Sequence, residues 1–156
     1  MDYRAKSHSV YLMTYHIVFV TKYRKPVLSN EIGDFMKRRA AELCNGMGGS
    51  LISAETDVDH IHLLVEMPPQ VRPSDLIRVI KTQLSRETHR VPEYDAYIKQ
   101  YLYGDAPLWS PSYFIATTGT TVLEKVKDYI DSQRTDEHHQ KYSKYVKSGL
   151  YRKNRR

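Results

Sequence analysis

The chain has 156 residues, enough for one domain with a real core, and 40% of them are apolar. No apolar stretch approaches the ~18 residues of a membrane span, and MDYRAKSHS lacks the apolar centre of a signal peptide, so a cytoplasmic protein without a membrane partner is expected. The single cysteine, Cys44, excludes an internal disulfide and a cysteine-rich zinc site, and the net charge of +6 resides wholly in residues 137–156, where seven Lys/Arg face Glu137 alone. A neutral body over 1–136 therefore carries a basic tail over 137–156.

In chain order, VYLMTYHIVFVTKY (10–23) is β-rich and ends at the basic turn before Pro26. Ser29 or Asn30 caps a helix from Glu31 through EIGDFMKRRAAELC, ended by Asn45, Gly46, Gly48 and Gly49. Strands follow over 50–56 and from His60 to about Met67, separated by the DVD turn. After PPQVRP, Ser74 caps a helix with Leu76, Ile77, Ile80 and Leu84 on one face. Residues 91–108 read as a polar, tyrosine-rich loop with a short helical turn in EYDAYIKQ. A fourth strand lies near 112–117, and Thr121 with Glu124 forms a capping-box signature for a last helix reaching Arg134. The order β-α-β-β-α-β-α fits an α+β, ferredoxin-like (split βαβ) antiparallel sheet with an extra C-terminal helix. Its first and third strands are central, which puts the run DHIHLLVE (59–66) mid-sheet.

Positions two apart share one face of a strand, so His60 and His62 point together while Ile61, Leu63 and Val65 point away. Two neutral imidazoles side by side can chelate a cation, but a half-exposed pair on a solvated face fits the pattern equally. On the last helix, Val122, Val126, Tyr129 and Gln133 form a stripe that starts apolar and ends with a phenol and a carboxamide. A phenol needs a base, a depressed pKa or a nearby metal to act as a nucleophile. Gln133 offers a neutral oxygen ligand, and spacing alone is satisfied by a packing Tyr129 and a surface Gln133. His16 lies on the first strand beside the pair, and His138 and His139 belong to the tail.

YHIVFVTKYRKPVL, TDVDHIHLLVEMPP, the helix with IKTQLSR, LWSPSYFIATTG and VKDYIDSQ, in that order over residues 8 to 134, resemble the HUH-type single-strand DNA transposases with one catalytic tyrosine. These are the small TnpA-type enzymes of insertion sequences. The resemblance implies that His60 and His62 are metal ligands, Gln133 the third ligand and Tyr129 the nucleophile. It implies Mg2+ or Mn2+, no nucleotide cofactor, single-stranded DNA hairpins as partners, and a homodimer in which one subunit's tyrosine helix can complete the other's site. Thr117 to Thr121, TTGTT, would connect that helix, with Gly119 as its hinge.

The chemistry so implied is attack of Tyr129 on a phosphate, leaving a 5′-phosphotyrosine link and a free 3′-hydroxyl, reversed by a second 3′-hydroxyl. Lys22, Arg24, Lys25, Arg78, Lys81 and Arg86 are the candidate phosphate contacts, each equally readable as a solvated charge. Tyr142 and Tyr145, three apart in the basic tail with no ligand residue beside them, are weaker nucleophiles than Tyr129. The alternatives are a related HUH nickase (a domesticated transposase or a replication initiator), a metal-dependent hydrolase, and a non-catalytic module that grips single strands. The module would place aromatics on the central strands, and the histidine strand has none.

Overall fold

The computed structural model describes residues 3–6, 8–117 and 128–132. Its elements are β1 (Arg4–Lys6), β2 (Ser9–Tyr11), β3 (Thr14–Val20), α1 (Asn30–Gly46), β4 (Ser50–Asp57), β5 (His60–Glu66), α2 (Pro73–His89), α3 (Pro92–Lys99) and β6 (Phe114–Thr117). Residues 128–132 are helical. β3, β4, β5 and β6 form one antiparallel sheet in the order β4-β5-β3-β6, the ferredoxin-like arrangement with β3 and β5 in the middle.

Alternation on the central strands builds the core. Ile17 and Phe19 of β3 and Ile61, Leu63 and Val65 of β5 are buried together with the inner faces of α1 and α2. In α1 the buried residues Ile32, Met36, Ala40 and Cys44 recur every four positions, and in α2 Leu76, Ile77, Ile80 and Leu84 do the same work. The Ile32 N–H donates to Ser29 Oγ at 3.3 Å, which caps α1. Arg39 of α1 grips Glu87 of α2 through two bonds of 2.7 Å, tying the helices across their outer surface. A Cβ on Gly49 would lie 2.2 Å from the Glu66 carbonyl oxygen, so only glycine lets the chain turn from α1 into β4.

Three expectations are refined. The first strand is not continuous over 10–23: β2 pairs with β1 as a small hairpin, β3 starts at Thr14, and Lys22–Arg24 form a 3-10 turn. The hairpin is tethered by Arg4, whose Nε lies 2.6 Å from Oε1 of the buried Glu66. α2 begins one residue before Ser74, at Pro73, which pre-sets the first helical φ; Arg72 occupies the cap position without a side-chain cap. The segment expected to be mostly loop contains α3, because Ile98 is buried and anchors it to the core while Tyr94, Tyr97 and Tyr101 pack beside it. Gly119, the capping pair Thr121 and Glu124, Gln133 and the basic tail 137–156, with His138, His139, Tyr142 and Tyr145, lie outside the described residues.

Candidate active site

The face of the sheet opposite α1 and α2 carries the even-numbered residues of β3 and β5. Register places His62 beside Val18, His60 beside Val20 and His16 beside Leu64. On the outer strands Glu55 lies beside His62, Asp57 beside His60, and Phe114 beside Val18. The sequence-derived pair is therefore assembled as expected: His60 and His62 share this face, both half-buried, at the middle of a rigid sheet.

Each imidazole has a partner that fixes it. His60 Nδ1 lies 2.9 Å from Asp59 Oδ1, and an ionised carboxylate only accepts, so Nδ1 carries the proton and Nε2 presents its lone pair. Asp59 is desolvated by burial, which favours its neutral form. Hydrogen bonds from His60 and Arg24 outweigh that and hold its carboxyl below the usual carboxylate range. His62 Nε2 lies 3.0 Å from His16 Nδ1. Burial lowers the pKa of both rings, and for His62 the neighbouring His16 and His60 add to the effect while Glu55 opposes it. Neutral imidazoles are the form a metal requires.

Those donors suit a divalent cation held by His60 Nε2 and His62, the latter on exchange of its bond to His16. Among the described residues no group of three or more His, Cys, Asp or Glu gathers into a metal site. The third ligand expected from the sequence, Gln133, is not among them.

Tyr129 comes to the same face. Its side chain is 3% exposed and packs with Val18, Val20 and Phe114, ring centroids 5.6 Å apart from Phe114. Its hydroxyl lies 2.9 Å from Ser112 Oγ, just ahead of β6, and Ser132 Oγ donates to the Tyr129 carbonyl at 2.7 Å. The phenol thus rests on the β6 side of the face, whereas the histidines stand on β5.

Arg24 joins the two halves. Its Nε donates to Asp59 Oδ2 at 2.8 Å and its Nη1 to the Ile130 carbonyl at 3.3 Å, one residue past the tyrosine. The turn that aims it is strained: Tyr23 and Arg24 both have positive φ, 56° and 51°. Such conformations cost roughly 1–3 kcal/mol each and persist where the surroundings over-determine them. The sequence offers Arg24 as a candidate phosphate contact or a solvated charge, and gives no role to Asp59 or Ser112. The spacing of 35 residues between Arg24 and Asp59 leaves no local signal, but the DH dipeptide ahead of the second histidine is one for Asp59.

The other candidate cations are dispersed. Lys25, Arg78 and Arg86 are exposed, and Arg78 pairs with Asp75. Lys22 and Lys81 meet at a cleft between α2 and residues 107–111. No helix among the described residues is long and apolar enough to cross a membrane.

Known proteins carry the same pattern. A family described as "Transposase IS200 like" matches residues 9–133. The ISDra2 transposase TnpA of Deinococcus radiodurans is 32% identical over 130 residues, covering 82% of this chain and 89% of its own. The transposase for insertion sequence element IS200 of Salmonella typhimurium is 31% identical over 137 residues, covering 85% and 84%. A crystal structure of a Deinococcus radiodurans R1 protein assigned as a transposase superposes with a TM-score of 0.73 at 27% identity, over 83% of this chain and 97% of that one. With most of its length matched in both sequence and fold, and with the histidine pair and Tyr129 inside the matched span, this chain belongs to the IS200-like transposase family.

Proposed function

We propose that this transposase cuts and rejoins single-stranded DNA at the ends of an insertion sequence through a covalent tyrosine intermediate, with subterminal hairpins as its recognition elements. The observation that carries the reading is the shared face: an Asp59-oriented His60 and His62 project from one side of the sheet, and the side chain of Tyr129 packs onto that same side. His60, His62 and Gln133 would hold Mg2+ or Mn2+, whose chemistry there is to polarise the scissile phosphate and offset its developing charge.

The protein's own residues do the rest. Tyr129 Oη attacks phosphorus, the phenolic proton departs, and the bond to the 3′-oxygen breaks. That oxygen takes up a proton to become a 3′-hydroxyl, and the 5′-phosphate stays on tyrosine. A second 3′-hydroxyl then attacks the phosphotyrosine and returns the phenol. One phosphodiester-type bond replaces another, so no nucleotide cofactor is consumed. Ser112 and Phe114 hold the phenol in its resting position, and Arg24 links the tyrosine's backbone to the aspartate that orients His60. A homodimer would supply two tyrosines for the two strand ends. Lys22, Arg24, Lys25, Arg78, Lys81 and Arg86 are the candidate contacts to the DNA backbone.

The test is incubation with labelled single-stranded oligonucleotides from the DNA flanking the gene, with manganese or magnesium, followed by denaturing electrophoresis. A detergent-resistant adduct in the wild type, absent in Tyr129→Phe and His60→Ala, is expected. Cleavage without an adduct would replace this reading with a hydrolase, and binding without cleavage would replace it with a binding module.

A further inference from the structure

We propose that the cleft between α2 and residues 107–111 is a subsite for one unpaired nucleotide of the DNA strand, its phosphate held by Lys22 and Lys81. This rests on the reading of single-stranded DNA as substrate and adds a place for a nucleotide away from the histidines. The cleft encloses about 320 Å³, at the small end of ligand pockets (roughly 300–1,000 Å³), which suits a single nucleotide and not a duplex.

The chemistry of the lining is one-sided. Lys22, Lys81, Thr82 and Ser85 supply two ammonium groups and two hydroxyls, and among the described residues no carboxylate lines the cleft. Trp109 is 5% exposed, and its Nε1, a donor with no acceptor capacity, has no hydrogen-bond partner among the described residues. Lys81 Nζ spends one of its three donors on the Ser110 carbonyl at 2.8 Å, which holds the ammonium at the cleft with two still to place. Burial pushes its pKa down to about 8, so it is cationic at neutral pH while an anion would relieve the cost of burying it. Pro107 and Pro111, both exposed, offer apolar surface to the sugar and base.

Position supports the same assignment. The cleft hangs on the end of β3: Lys22 N–H donates to the Leu108 carbonyl at 2.8 Å, and Thr21 bridges to Trp109. The Thr21 N–H in turn donates to the Asp59 carbonyl at 2.9 Å, next to His60. A strand leaving the histidines over this end of the sheet would reach the cleft on its α2 side.

Trp109 is the chain's only tryptophan, so its fluorescence reports on this cleft alone. The experiment titrates the full-length protein with a short thymidine oligonucleotide, reading Trp109 emission and the anisotropy of a labelled copy together. The expected result is a saturable emission change that tracks binding. Lys22→Ala and Lys81→Met should each weaken binding about tenfold and lower the salt slope by about 0.7, the increment for one single-strand phosphate contact. Trp109→Phe should weaken it less. Lys22→Ala, at a half-exposed position, carries the test if Lys81→Met fails to fold. Oligonucleotide binding with silent Trp109 emission and unchanged affinity in the lysine variants would overturn the subsite and leave the adduct chemistry standing. Absence of any binding would overturn both. An equal response to inorganic phosphate would overturn the assignment to a nucleotide.

Discussion

The two faces of the central sheet are made by the same two strands and serve opposite ends. Under α1 and α2, Ile17, Phe19, Ile61, Leu63 and Val65 are sealed off from water and titrate nothing. On the other side, one residue along in each case, stand His16, His60 and His62, with Val18, Val20, Phe114 and Tyr129 in a smaller apolar cluster beside them. A period of two lets a single seven-residue strand contribute its odd positions to the core and its even positions to the candidate site. Rigidity generated on one face is thereby lent to the histidines on the other, at no cost in loop ordering.

The sharpest way to break this division is to find a residue that belongs to both sides. Tyr129→Phe should abolish the covalent adduct altogether. It should cost only about 0.5–1.5 kcal/mol of stability, because it deletes one hydroxyl whose partner is Ser112. Neighbours on β5 should then split in opposite ways. Ile61→Ala should lose about 2–5 kcal/mol in urea unfolding, whereas His60→Ala should lose the adduct and stay within ~1 kcal/mol of wild type. A His60→Ala protein as unstable as Ile61→Ala would end the two-face description.

Asp59→Asn keeps the shape but weakens the hold on His60. Metal affinity, measured by manganese titration, should fall roughly 10–100-fold. Lys81 sharpens the picture by pH. Its folded pKa of about 8 lies below the ordinary lysine value, so raising pH through 8 removes the Lys81 charge from the cleft and should weaken oligonucleotide binding with a shallower salt slope. Stability should move the other way between that pKa and the ordinary value of 10.5. There the unfolded chain binds the extra proton, so stability rises with pH. The smallest effect expected is at Cys44, whose thiol is pushed up to about 12 by burial on the inner face of α1: a thiol reagent at pH 8 should label it only after denaturant is added.

What could be read in advance follows from how local the determinant is. The histidine pair, the buried stripe of α2 and the element order depend on alternation and spacing, which the sequence displays directly. The register that sets His62 beside Val18 and brings His16 to within a hydrogen bond of it is long-range, 46 residues apart, and no local pattern encodes it. The same holds for Ser112 and Tyr129, and for the guanidinium of Arg24. A basic cluster before a proline reads as a surface patch, yet left-handed backbone at Tyr23 and Arg24 turns one of its members inward. α3 shows in the sequence only as the short helical turn of EYDAYIKQ, because its apolar face is mostly tyrosine and only Ile98 is fully buried. The cleft at Trp109 requires α2 and residues 107–111 to meet, so Lys22 and Lys81 could be named as cations but not as a pair.

The central position of β5 also sets a clock. Every residue of the strand is paired to β3 on one side and to β4 on the other, so its amide protons have no shallow route to solvent. Exchange with deuterium there should track global opening, while the exposed outer edge of β4 trades its protons far sooner. The two histidines would therefore keep their spacing for as long as the domain remains folded, and a cation captured by them would leave by ligand exchange long before the scaffold lets go.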